Sequence, residues 1–314
     1  MDRLNDLKHQ LDGAKAHLGE LNAVHDALGK APETYLTVFD PRNGTGKPVL
    51  AAVAVGNPDT AQNVSVTVPG IGSTTQGSLP DMVTEASNLR LETERQLRNA
   101  GLPGSAATIA WMGYDPPPNP INTLSPADAF ATMGDGQARL GADSLSSYLQ
   151  QVHANNPNSH LTLLGHSYGS LTSSLALQEL HAQGLHPVDD VVFYGSPGLE
   201  LTSSDQLGLG AGHAYVMRGM DDPIAGSWRR WPHCTGGGSI HTTECSPNCR
   251  RRPGPIRVES SARAFIRTRI TPDWEATTSC ACPAITWLRS WLGCRTISSL
   301  RHRRRRPLRR RHPH

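Results

Sequence analysis

The pentapeptide Gly165-His166-Ser167-Tyr168-Gly169 has the form G-x-S-x-G. Such a match is common by chance, and its setting gives it meaning. The apolar run Leu161–Leu164 precedes it and the helix-compatible run Ser170–Leu180 follows it. A serine on a sharp strand-to-helix corner has its hydroxyl exposed, and flanking glycines let neighbouring chain come close to the bend. The helix that starts behind the serine aims N–H groups, and the positive end of its dipole, at developing negative charge. The chemistry this predicts is nucleophilic acyl transfer with Ser167 Oγ as the attacking atom. The plain alternative is an ordinary loop, which the strand before and the helix after argue against.

Acyl transfer needs donors for an oxyanion. One is expected from the residue after the nucleophile, the N–H of Tyr168, and a second from a loop after an early strand. The stretch Val66-Thr67-Val68-Pro69-Gly70-Ile71-Gly72-Ser73-Thr74 is an apolar strand followed by a glycine-rich turn, so the second donor is assigned to the N–H of Ile71, with Gly72 beside it. A simple tight turn is the plain alternative. The third requirement is an acid that orients a histidine. Ala214–Arg218 reads as a late strand and runs into Gly219-Met220-Asp221-Asp222-Pro223-Ile224. An acid just past a late strand suits a chain order of Ser, Asp, His, and Asp222 is the choice, with Asp221 the runner-up. Here the plain alternative is a surface turn bearing two acids.

The elements that must position these groups are legible in the apolar spacing. Leu4, Leu7, Leu11, Ala14, Leu18, Leu21 and Leu28 recur at three- and four-residue steps and Gly29 supplies a stop, which predicts a helix over 2–29. That helix is either an arm for a partner or packed on its own domain, and packing is the expectation. Tyr35–Asp40 and Pro48–Val55 flank an Asn43-Gly44-Thr45-Gly46 turn and predict a hairpin. Asn63–Val68, Ala106–Trp111, His160–Leu164, Asp190–Tyr194 and Ala214–Arg218 are further strand candidates, with helices expected near 79–100, 125–155 and 168–183. Alternating strands and helices predict an α/β architecture: a mostly parallel sheet, helices on both faces, and chemistry at the carboxyl ends of the strands. The proline-rich segment Tyr114–Pro126 is expected to lie over that edge as a loop. With the region after Gly195, it should line the pocket for the acyl group.

The whole chain has 314 residues, 37% of them hydrophobic, and a formal net charge of +3. That composition excludes a fully disordered chain. No apolar run reaches the ~18 residues a spanning helix needs, so no membrane span is expected. Charges throughout the first 30 residues (Asp2, Arg3, Asp6, Lys8, Asp12) argue against a secretory signal, and the expected location is cytoplasmic. The averages conceal a break after Gly226. Residues 1–226 carry 11 basic against 23 acidic side chains, a net −12, while 227–314 carry 19 arginines against 4 acids, a net +15. All six cysteines and five of the six tryptophans fall after the break. The division read from this is a helical extension at 1–34, a core at 35–226, and an irregular Arg/Cys/Trp-rich tail at 227–314 that is disordered or non-native.

The strings VPGIGST, WMGYDPP, LTLLGHSYGS, DDVVFYGSPG and RGMDDPIAG occur in order between about residues 35 and 226. Together they resemble an α/β-hydrolase family of unassigned substrate, frequent in high-GC bacteria. The resemblance implies the α/β-hydrolase fold, a serine hydrolase of the carboxylic-ester type with a small-molecule acyl substrate, Ser167 as nucleophile and Asp222 as acid. It also implies a histidine in a short stretch after the last strand. There this chain departs from the pattern: His233, His241, His302, His312 and His314 follow Gly226, and none has a recognisable strand-loop context.

A GC-rich gene read in the wrong frame gives the composition of the tail, and the genetic code allows a check. With the frame moved back one base, His233-Cys234, Asn248-Cys249 and Asp273-Trp274 each force leucine, and Trp274-Glu275 forces glycine. Choosing the remaining wobble bases freely, Glu244–Gly254 reads as MFPELSSQAG. Within Arg267–Leu288 the reading is HADYPRLGGDNQLRMSGYNL, which resembles the family's histidine segment. Its histidine spans the codons of Arg267 and Thr268. The expectation is a one-base shift between about Gly226 and His233. The chain then lacks its general base, its last strand and its last helix, and either its hydrolysis is impaired or it is an inactive binding protein of the same fold.

The other signals have plainer readings. Cys245-x3-Cys249 and Cys280-x-Cys282 do not match paired C-x2-C zinc spacing, so no metal is expected, and acyl transfer of this type needs no cofactor. The runs Arg303–Arg306 and Arg309–Arg311 could hold polyanions, but they are a product of the tail's composition and no specific nucleic-acid partner is expected.

Overall fold

The computed structural model describes residues 2–42, 47–118, 134–219 and 241–245, with residues 2, 218, 219 and 241–245 for the backbone alone. In chain order the elements are α1 (Asp2–Leu28), β1 (Thr34–Asp40), β2 (Leu50–Val55), β3 (Asn63–Val68), α2 (Thr75–Asn99), β4 (Ala106–Met112), α3 (Gly136–Asn155), β5 (His160–His166), α4 (Tyr168–Ala182), β6 (Asp190–Tyr194), a single 3-10 turn (Ser204–Leu207), β7 (Ala214–Gly219) and β8 (His241–Cys245). The strands form one sheet in the order β1-β2-β4-β3-β5-β6-β7-β8. The β1–β2 and β2–β4 pairs are antiparallel, and every other pair is parallel.

Alternation along each strand sends side chains to two layers. On one face Val64, Val66, Ile109, Trp111, Leu161, Leu163, Val191 and Phe193 meet the apolar sides of α3 and α4. On the other, Ala51, Val53, Val55, Ala110 and Met112 meet Leu79, Met82, Val83 and Ala86 of α2 and Val24 and Ala27 of α1. Strands covered on both faces are apolar throughout, which is why β2 (LAAVAV) and β4 (AATIAWM) are buried at every residue. A third cluster, Leu164, Val192, Tyr194, Tyr215 and Met217, lies on β5, β6 and β7 with Leu89 of α2 packed against it.

The sequence-based boundaries shift in places for local reasons. Helix α2 starts at Thr75 rather than near 79, because Thr74 caps it by accepting a hydrogen bond from the Gly77 N–H at 2.9 Å. The expected helix near 125–155 is described from Gly136, since residues 119–133 lie outside the described set, as does the Asn43–Gly46 turn. Only the last third of α1 packs as expected: Ala23, Val24 and Ala27 are buried, while Leu4, Leu7, Leu11 and Leu18 are exposed. In the tail, expected to be irregular and without the last strand, β8 adds to the edge of β7, with Tyr215 opposite His241 and Gly219 opposite Cys245. The β-branched pair Thr242-Thr243 suits that place, and pairing removes an open edge from β7.

One row crosses the sheet beneath α2. Thr108, Ser65, Thr162 and Asp190 are register partners on β4, β3, β5 and β6. At one end Thr108 Oγ1 donates to the Ala86 carbonyl at 2.6 Å. At the other the buried Asp190 carboxylate bonds His160 Nε2 at 2.7 Å and His213 Nδ1 at 2.9 Å, tying the amino ends of β5, β6 and β7 together. Between them the buried hydroxyls of Ser65 and Thr162 have no hydrogen-bond partner among the described residues. A buried hydroxyl without a partner carries a desolvation cost that an isosteric methyl does not. Thr162→Val is therefore expected to stabilise the fold by about 1 kcal/mol, read as a rise in the thermal midpoint; a fall of similar size would show that the hydroxyl is satisfied in solution.

Candidate active site at the Ser167 corner

Strand β5 ends at His166 and α4 begins at Tyr168, so the whole change of direction falls on Ser167. Its backbone sits at φ 53°, ψ −125°. A non-glycine residue held there costs on the order of 1–3 kcal/mol, and its neighbours must enforce the conformation. The enforcement is visible on both sides of the bend. The Ser167 N–H donates to the Tyr194 carbonyl at the end of β6, 2.9 Å away, and the Ser167 carbonyl accepts from the Ser170 N–H, also at 2.9 Å, and from Ser170 Oγ at 2.5 Å. Ser170 Oγ also lies 2.6 Å from Ser196 Oγ, so the loop after β6 braces the first turn of α4.

The glycines explain why the motif has its form. A Cβ on Gly169 would lie 2.4 Å from the Val68 carbonyl oxygen and 2.5 Å from that of Pro69, and a Cβ on Gly165 would lie 2.8 Å from Ser170 Cα. The helix start is thus pressed against the end of β3. A Cβ on Gly70 would lie 2.6 Å from Ser167 Cβ and 3.0 Å from Ser167 Oγ. The turn after β3 is therefore in van der Waals contact with the hydroxyl, and the two segments singled out in the sequence meet at one place.

Within that turn the amides are differently occupied. The Gly72 N–H donates to the Pro117 carbonyl at 2.8 Å, which closes the turn against the loop after β4. The Ile71 N–H donates to no atom among the described residues. The Tyr168 N–H is the first amide of α4 and has no acceptor within the helix. Tyr114, to which the sequence reading gave no individual role, holds the turn from below. Its hydroxyl donates to the Pro69 carbonyl at 2.5 Å, and its ring stacks on Trp111 with centroids 5.7 Å apart. Burial pushes its phenol well above the usual range, so it remains a donor. The only sequence signal for it is its place in the WMGYDPP string just past a buried strand. Tyr168 also works as a brace: its hydroxyl donates to the Gly134 carbonyl at 2.9 Å and accepts from the Ala138 N–H at 3.2 Å, fixing the start of α3.

Asp221 and Asp222 lie outside the described residues, beyond the last residue of β7, Gly219. The 119–126 part of the expected pocket loop lies outside them too. No described histidine hydrogen-bonds Ser167 Oγ. His160 and His213 are engaged by Asp190 at the opposite end of the strands. His166 is next to the serine in sequence but its ring lies against Tyr194 at 5.0 Å, and burial pushes its pKa down to about 4. An imidazole of that basicity is a poor proton acceptor at neutral pH. Among the described residues no group of three or more His, Cys, Asp or Glu side chains is gathered to hold a metal, and no helix is long and apolar enough to cross a membrane.

A corner serine on a strained backbone, between a helix start and a glycine turn, on the carboxyl side of a mostly parallel sheet, defines an α/β-hydrolase fold. A family model described as "Alpha/beta hydrolase" matches residues 41–229, and the chain belongs to that family. An uncharacterized protein of Mycobacterium tuberculosis is 39% identical over 249 residues, covering 76% of this chain and 86% of its own. A second uncharacterized protein of that organism is 35% identical over 208 residues, 65% of this chain but 29% of its own. Among solved structures, an esterase from the archaeon Pyrobaculum calidifontis aligns over 77% of this chain and 87% of its own at 10% identity and a TM-score of 0.42. A lid-less serine hydrolase from Xanthomonas campestris covers 68% and 84% at 15% identity and a TM-score of 0.33.

Two outcomes test the local geometry. Gly169→Ala drives a Cβ into two backbone carbonyls, and a loss of about 3 kcal/mol is expected in denaturant unfolding, near the top of the usual overpacking range. Glu85 of α2 is predicted to show a pH signature. Burial, helped by Asp81, raises its pKa to about 7 from an ordinary 4.5. The native state then keeps a proton that the unfolded chain gives up, so this group's contribution to stability falls as pH rises from about 4.5 through 7. Glu85→Gln should therefore be more stable than the parent at pH 8, with the difference closing near pH 5; a difference independent of pH would contradict the shift.

Proposed function

We propose that the fold of this chain is built for hydrolysis of a carboxylic ester, with a small-molecule or lipid-like acyl group, by two-step acyl transfer. In this reading Ser167 Oγ attacks the carbonyl and the N–H groups of Tyr168 and Ile71 hold the oxyanion. Asp222 (or Asp221) orients a histidine that takes the serine proton and passes it to the leaving alcohol. Water then attacks the acyl-enzyme, the same histidine accepting its proton, and Ser167 is regenerated as the acid leaves. The observation that carries the reading is the backbone of Ser167 at φ 53°, ψ −125°, with the Gly70 turn against its side chain. A strained non-glycine residue needs a reason, and presenting a nucleophile beside free amides is one.

The proposal has a second part. The family match ends at residue 229, and the basic, cysteine-rich composition begins at the same place. We take the tail to be a one-base frame shift that removes the catalytic histidine, leaving a chain whose hydrolysis is slow. The change of composition at that point gives a second reading, a catalytically inactive protein that binds an acyl ligand at the same corner.

Restoring one base between codons 226 and 233 tests both parts. The restored gene is expected to encode the HADYPRLGG string and to hydrolyse a p-nitrophenyl ester in a Ser167-dependent way. The chain as it stands should be slower by ~10³-fold or more, since loss of a triad histidine leaves only the oxyanion donors and binding. If no single-base change opens that frame, the frame-shift reading fails. If the restored protein is inactive but binds the ester, the inactive reading replaces the hydrolytic one.

A further inference from the structure

Helix α1 carries an apolar seam that no described residue of its own domain covers. Leu4, Leu7, Leu11 and Leu18 are 60%, 53%, 54% and 57% exposed. With Ala14 they follow the three-four alternation of a and d positions in a heptad. Residues 3–16 are exposed on every face, so Leu4, Leu7 and Leu11 lie where the helix overhangs the body, but Leu18 lies where it packs. Leu18 and the fully buried Ala27 are nine residues apart, two and a half turns, so they point to opposite sides of the same helix. Gly19 lies against the Gln76 side chain and Val24 and Ala27 pack with α2, which places the packed face on the far side from the leucines. A second helix can lie along Leu4–Leu18 without displacing α1 from the domain.

The charges beside the seam are of one sign. In the heptad set by Leu4 and Leu7, the flanking e and g positions are Arg3, Lys8, Gln10, Lys15 and His17, and the acids Asp2, Asp6 and Asp12 fall on the outer positions. We infer that this seam docks an amphipathic helix of a different protein, one with apolar a and d residues and Asp or Glu at the flanking positions. A second copy of this chain is a poor occupant. A parallel pair sets Arg3 against Lys8 of the other copy, and an antiparallel pair sets Lys8 against Lys15, so either orientation brings like charges together. A lipid surface suits it no better. The seam is one heptad stripe wide rather than a broad apolar face, and it carries no Trp or Phe. The leading turns also need a partner to be firm, for they carry Gly13 and pack against none of the described residues.

The probe is a synthetic three-heptad peptide with leucine at a and d and glutamate at e and g, titrated against the full chain. Two peptides control it, one with lysine at e and g and one scrambled. The glutamate peptide is expected to bind at least about tenfold tighter than either control. The Leu7→Gln/Leu11→Gln variant, whose exposed positions leave the melting transition unchanged, is expected to lose that advantage. Binding that survives in the variant, or that goes equally to the scrambled peptide, would assign the affinity to the arginine-rich tail and overturn the inference. So would a concentration-dependent dimer in sedimentation that the variant abolishes, which makes the occupant a second copy. Recruitment to vesicles of anionic phospholipid, abolished in the same variant, would make it a lipid surface and overturn the inference as well.

Discussion

The positive φ at Ser167 is the constraint on which the rest of this structure depends. A side chain there is unfavourable, and the bend survives because its surroundings leave no other path. The Ser167 N–H is fixed to the end of β6, its carbonyl is fixed by Ser170, and the helix that follows is pressed onto the carbonyls of Val68 and Pro69. The bend therefore ties β3, β5, β6 and α4 together at one point. The parallel core of the sheet is what brings those three strand ends to the same edge.

The supports around that point form a second layer. Tyr114 holds the Pro69 carbonyl while stacked on Trp111, and Pro117 takes the Gly72 amide, so the loop after β4 fixes a turn that belongs to β3. The Ile71 amide of the turn has no acceptor among the described residues. Preorganised donors of this kind stabilise developing charge without reorganising when it appears. At the far end of the strands, Asp190 gathers His160 and His213. Those imidazoles serve the sheet, while His166, adjacent to the corner in sequence, lies half-buried against Tyr194 and is kept neutral.

Much of this was legible in the sequence, and the limits have physical causes. Strands β3 and β6 matched their expected boundaries because both are short β-branched runs bounded by turn residues. The corner and the glycine turn were legible because only glycine allows such close approach. Tyr114 was not, because a tyrosine after a buried strand reads as core, and its value lies in a bond to a residue 45 positions away. The full packing expected of α1 was only partly met, since a leucine period states that a face is apolar without stating what covers it. Strand β8 was hidden because the composition of the tail masks a five-residue run that pairs with the edge of β7.

The chain thus joins a well-braced corner to a segment of foreign composition, and the proposed acyl-transfer reading requires Ser167 itself to be reactive. The most direct measurement is to expose the purified chain to excess fluorophosphonate, digest it, and locate the adduct by mass spectrometry. The account predicts slow formation of one adduct, on Ser167, aided by the proposed oxyanion donors, the amides of Ile71 and Tyr168. An adduct on another residue with Ser167 unmodified, or a chain that stays wholly unmodified, would contradict it.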